Sequence, residues 1–205
     1  QFAEPVQVPD SVRDWQPTVR MPVPEGAHSE PKWVSKAELR PGGPWVHHIV
    51  SSHMGVGVPG RGPFTFPEGW GVLIAEDPFI TVNMHYHKEP GEGSAMVDNN
   101  TRVGIVFYKP GEVITHRIKG ASLATRGFRI PAGDPNYSHS GEYVFEEDAF
   151  VTAFNPHMHL RGKGMQMTAI LPNGRSQVRS RVSDFNFNWH NNYIYADDAA
   201  PLLPK

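Results

Sequence analysis

The chain has 205 residues, 39% of them hydrophobic and 20% charged, with a net charge of −2. That is enough for one large or two small cored domains, and no basic stripe marks nucleic acid as a partner. There is no cysteine, which excludes disulfides, thiolate metal sites and cysteine nucleophiles and permits an oxidising compartment; no apolar run approaches the roughly 20 residues of a membrane span.

The first residue is Gln1, and a chain without an initiating Met suggests a processed or trimmed N-terminus. Residues 4–33 are punctuated by proline and read as an extended segment with edge strands. Short apolar runs follow, separated by turn residues: PWVHHIVSSHM (44–54), GWGVLI (69–74), FITVNMHYH (79–87) and TRVGIVFYKPGE (101–112). The glycine-rich GVGVPGRG (55–62) follows no strand–helix pattern and reads as a loop rather than a phosphate cradle. Alternation is clear in 79–87, where Ile80, Val82, Met84 and Tyr86 share one face and Thr81, Asn83, His85 and His87 the other. After Pro110–Val113 the pattern restarts in ITHRIKGASLA, GEYVFEEDAFVTAF and MTAILPNGRSQ, the last holding the hairpin signal Asn173-Gly174. Helical periodicity is nearly absent. The expected class is therefore all-β: two jelly-roll-like β-sandwich domains, residues 1–112 and 113–205.

Eleven histidines are a rich supply for this length. They concentrate in three motifs: His47–His48, with His53 close behind; His85 and His87; and His157 and His159. In a strand, residues two apart face the same way, so His157 and His159 should stand side by side with Met158 and Leu160 buried behind them. Adjacent His47 and His48 can share an ion only if the backbone twists or bulges there. Neutral imidazole nitrogen suits zinc, copper, iron and nickel.

The order VHHIV, MHYH…DNNTRVGIVFY, PHMHLRGKGM…LPNGR, with GFRIPAGDPNY and DFNFNW, resembles the type II copper, ascorbate-dependent monooxygenases, the group of peptidylglycine α-hydroxylating and dopamine β-monooxygenases. The similarity runs from about Trp45 to Lys205 and looks nearest to bacterial members, which are often joined to cytochrome c or redoxin modules. It implies two jelly rolls facing a solvent-filled cleft. One copper, held by His47, His48 and His85, would store and deliver an electron. A second, held by His157, His159 and a methionine, would be where dioxygen is used and a substrate C–H bond is hydroxylated, making His157 and His159 the catalytic pair. Ascorbate is the implied reductant, a small molecule or peptide the implied substrate, and a secreted or periplasmic location the implied setting.

The family's methionine lies several strands beyond the His-x-His segment, and the sequence stops first, at Lys205. The second sandwich and second copper site are thus expected to be incomplete here, to be finished by further chain or another subunit. Met165 and Met167, like Met54, Met84 and Met96, read as packing residues. His87 beside His85 leaves the ligand within HYH open by two positions. Two other functions are carried forward: a non-catalytic copper-binding or structural module of a larger extracellular assembly, and a zinc site on the same histidines.

Overall fold

The computed structural model describes all residues except 25, 26, 28, 52, 75–77, 124–126 and 197. Among the described residues every regular element is a strand. The backbone contacts divide the chain into two compact units, Gln1–Gly120 and Ala121–Lys205. The first contains β1 (Val6–Val8), β2 (Asp14–Trp15), β3 (Thr18–Pro22), β4 (Lys32–Arg40), β5 (Val46–Ser51), β6 (Gly55–Gly57), β7 (Phe64–Thr65), β8 (Trp70–Ile74), β9 (Phe79–His87), β10 (Met96–Asp98), β11 (Arg102–Phe107) and β12 (His116–Arg117). The second contains β13 (Ala149–Phe150), β14 (Ala153–Phe154), β15 (Met165–Ile170), β16 (Ser176–Val182), β17 (Tyr193–Ile194) and β18 (Leu202–Leu203). Among the described residues no helix is long and apolar enough to cross a membrane.

The first unit is built on two five-stranded sheets. One runs β2-β9-β5-β6 with β3 also on β9; the other runs β11-β4-β8-β12 with β7 on β4. Both contribute to one core: Met21, Val46, Ile49, Val82 and Met84 from the first, Val34, Ala37, Leu39 and Val72 from the second. The alternation in 79–87 explains this, since Ile80, Val82, Met84 and Tyr86 are all buried. The glycine-rich run is not all loop, because Gly55–Gly57 forms β6 on β5. Gly57 lets the backbone approach β4: a Cβ there would stand 2.3 Å from the Leu39 Cβ and 2.7 Å from its carbonyl oxygen. The unit also continues past the boundary expected at residue 112. Thr115 donates its N–H to the Gly69 carbonyl (2.8 Å), β12 pairs in parallel with β8, and the His116 ring stacks on Trp70 at 4.5 Å. A proline-glycine turn at 110–111 thus marks a corner inside the unit rather than its end.

The second unit is a set of two-stranded ladders: β13–β18, β14–β17 and β15–β16. The Asn-Gly hairpin forms as expected. Leu171 accepts from the Gly174 N–H at 2.8 Å, and Gly174 takes the left-handed φ of 79° that its lack of a Cβ permits. Apolar burial is sparse, with Ala169, Phe187 and Leu203 buried while Ile170, Val178, Trp189 and Ile194 are exposed.

Candidate metal centres

In the first unit, three imidazoles meet where β5 and β9 pair. Val46 lies opposite Tyr86 and His48 opposite His85, so two steps along β5 match one along β9. His47 is the extra residue of a β-bulge. A bulge bends the strand and re-aims a side chain, and here it lets neighbours that would otherwise face opposite ways turn together. The ring centroids of His47, His48 and His85 are 5.1, 5.0 and 4.7 Å apart pairwise. The Nδ1 atoms of His47 and His48 are 2.9 Å apart, and ligand nitrogens of His48 and His85 approach within 4.8 Å. His48 and His85 are buried, and His47 is half-buried.

Asp14, on β2, sets the proton positions. It lies opposite His87 in the β2–β9 register, and its Oδ1 is 2.9 Å from His85 Nε2 and 2.8 Å from His87 Nδ1. Burial would raise the pKa of this carboxyl, but hydrogen bonds from His87 and His85, and the positive charge those rings can carry, outweigh it and hold Asp14 below the ordinary carboxylate value of 3.8. An ionised carboxylate only accepts, so each ring donates. His85 therefore carries its proton on Nε2 and, as the neutral ring, presents Nδ1 as its lone-pair nitrogen. His87 spends Nδ1 on Asp14. His87 is also the outer ring, 6.2 Å from His47 and with a side chain 30% exposed, against 1% for His85. The geometry favours His85 over His87 as the third donor of this cluster.

The β9 strand is braced at the residue between them. Tyr86 stacks on Trp15 at 5.6 Å and donates its hydroxyl to Asp98 Oδ2 at 3.0 Å. Asp98 also accepts from Thr101 Oγ1 (2.6 Å) and from the N–H groups of Asn100 and Thr101. Burial, and then the Asp98 charge, push the Tyr86 phenol far above its ordinary value of 10.0.

In the second unit the His-x-His segment differs from the expected strand. Residues 155–159 carry no strand, β15 starts only at Met165, and the Gly162 N–H closes a turn on the His159 carbonyl at 2.8 Å. Leu160 is 62% exposed rather than buried, and Met158 is half-buried. Without a sheet beneath it, the segment has no apolar face to cover. The two rings still lie 5.1 Å apart, nearly perpendicular at 87°. A further imidazole joins them: His190 Nδ1 is 3.2 Å from His157 Nδ1, with ring centroids 5.0 Å apart.

Two functional candidates were thus out of reach of the motif search. Asp14 is recognisable only once β2 is paired with β9. His190 stands alone in NWHNN, with no neighbouring histidine to flag it. A concavity of the first unit, about 440 Å³ and lined by Glu38, Arg40, Pro59 and Arg61 among others, holds none of these histidines.

No protein-family model, no curated protein and no solved structure matches this chain. The chemistry of the donor set itself is the test of what these clusters could hold. Two nitrogens each 2.0–2.1 Å from one ion stand about 2.9 Å apart at a right angle and about 3.3 Å apart at a tetrahedral one. The His47–His48 and His157–His190 separations, 2.9 and 3.2 Å, fall at these two values. Imidazole clusters without thiolate suit a borderline transition ion such as copper or zinc.

Proposed function

We propose that the chain is a copper protein with two mononuclear centres, one in each unit, working as a type II ascorbate-dependent monooxygenase on a small-molecule or peptide substrate. The observation that carries this reading is the bulge at His47. A regular strand would separate adjacent histidines, and the irregularity that brings both rings to His85 suits shared ligation. The 2.9 Å separation of the His47 and His48 Nδ1 atoms is compatible with two ligands on one ion.

Bound copper would supply one-electron chemistry and dioxygen activation. The protein's own contribution is positional. In the first unit, three rings carried by the paired strands β5 and β9, with His85 fixed by Asp14, resist the rearrangement that accompanies a change of copper charge. In the second, His157 and His159 lie on an irregular segment with His159 exposed, which leaves room for an incoming substrate. Ascorbate is the proposed reductant; a secreted or periplasmic setting and a cytochrome c or redoxin partner belong to the same proposal.

The test is copper titration of the chain followed by ascorbate-dependent oxygen uptake. Two copper equivalents are expected, with uptake above that of free copper. His159→Ala should abolish uptake and leave the first equivalent bound. Equal loss of both equivalents in that variant would mean a single shared site, and unchanged uptake would remove the second-unit histidines from the reaction. Copper binding with no uptake would favour the non-catalytic module.

A further inference from the structure

We infer that His190 is a metal ligand beside His157 and His159, so that the centre in the second unit is closed by a third imidazole from within residues 121–205. This rests on the copper reading above and changes its donor set.

His190 is buried, at 9% exposure, although it follows Trp189, which is 69% exposed. Its ring is enclosed by two phenyl rings: Phe185 at 5.4 Å and 87°, and Phe187 at 5.9 Å and 73°. Phe187 also meets His159 edge-on at 6.1 Å, so one aromatic side chain spaces both imidazoles. The backbone that carries them is tied down, with the Phe185 N–H donating to the Lys163 carbonyl at 2.8 Å. A buried imidazole costs free energy unless its nitrogens are engaged, and the nitrogen facing His157 is engaged at 3.2 Å. That contact has two chemical forms. One ring can donate an N–H to the other, or both Nδ1 lone pairs can face one ion. His159, 5.1 Å from His157 on the same segment, adds a further imidazole to the second form and has no part in the first.

The consequence is a change in redox preference. A thioether is a soft donor that favours copper(I), whereas imidazole serves both copper oxidation states and zinc. A centre closed by His190 should hold copper(II) more firmly than a two-histidine, one-methionine centre would, and zinc should compete for it.

The experiment uses the whole chain. In the unmodified protein, labelled with ¹⁵N at histidine, copper(I) is added and the ring nitrogens are followed by long-range ¹H–¹⁵N correlation. Ligation predicts that the His190 and His157 Nδ1 resonances move together, at the same equivalence point. A His190 resonance that stays in place while His157 shifts would overturn the inference and leave the copper reading intact. No shift at His157, His159 or His190 would overturn both.

Affinity supplies the second readout. In a His47→Ala/His48→Ala background that silences the first cluster, chelator competition should show His190→Ala weakening copper(I) at least about tenfold, and His157→Ala should do the same. His190→Gln, which keeps most of the side-chain volume, guards against misfolding and should show the same loss. His190→Met should retain copper(I) while weakening the copper(II) paramagnetic signal, an exchange that a purely structural histidine would not produce. Affinity unchanged in both His190→Ala and His190→Gln would refute ligation.

Discussion

Replacing Asp14 by alanine isolates the contribution of a residue that touches no metal in the proposed centre. Asp14 accepts from His85 Nε2 at 2.9 Å and His87 Nδ1 at 2.8 Å. Partners of this kind fix the tautomer of a ligating imidazole and raise its basicity, and their loss typically costs 10–100-fold in metal affinity. Two features place this case near the lower end. The His85 side chain is only 1% exposed, so packing holds the ring in place without its acceptor, and Asp14 is 38% exposed, so water can replace the carboxylate. We therefore expect about a tenfold loss of copper affinity at the first centre, equivalent to about 1.4 kcal/mol, and none at the second. Asp14→Asn keeps an oxygen acceptor without the charge and should lose less. His87→Ala should leave affinity nearly unchanged, because the ring it removes is the outer one. Chelator competition on each variant, with the two equivalents resolved by their paramagnetic spectra, measures all three. An Asp14→Ala protein that binds copper as tightly as the parent would refute the argument, as would a His87→Ala loss as large as that of His85→Ala.

Tyr86→Phe removes one of the hydrogen bonds to a buried carboxylate and should destabilise the first unit by about 1–3 kcal/mol, read as a shift in the urea midpoint at constant slope. Because the folded protein holds Tyr86 protonated well above 10.0, its contribution is complete below about pH 10 and falls as pH rises beyond it, since only the unfolded chain can then ionise. Tyrosinate absorbance should show one phenol that titrates only on unfolding, and a Tyr86→Phe protein should have lost that part of the alkaline instability. Gly57→Ala forces a Cβ to 2.3 Å from that of Leu39 and should cost about 1–3 kcal/mol by overpacking; thermal melts unchanged from the parent would show that β6 shifts freely.

Part of each unit was legible because its signal is local. Alternation in 79–87 fixed which residues enter the core, and Asn173-Gly174 fixed a hairpin, since both depend on neighbours in sequence. The condition that His47 and His48 could meet only where the backbone twists or bulges was also legible, because a regular strand separates neighbours. What could not be read was register. Asp14 stands 71 residues from His85, and nothing in either segment announces that β2 lies beside β9. The end of the first unit was misplaced for a related reason: β12 joins by parallel pairing after a turn that locally reads as a break. The His-x-His segment misled in the other direction. Its i, i+2 spacing suggested a strand with Leu160 buried, but a strand pattern without a sheet to receive it leaves Leu160 exposed.

The bulge at His47 also makes the length of β5 matter independently of its composition. Exchanging either histidine for another residue removes a donor but leaves the strand's pairing intact. Deleting one would remove the bulge and restore a regular pleat, because Val46 opposite Tyr86, the remaining histidine opposite His85 and Ile49 opposite Met84 already alternate inward, outward and inward. Val46 and Ile49, both fully buried, would keep their places in the core. In this strand a one-residue gap is therefore a lesion of ligation rather than of folding. A library scored for both should tolerate that deletion for folding and lose copper at the first centre.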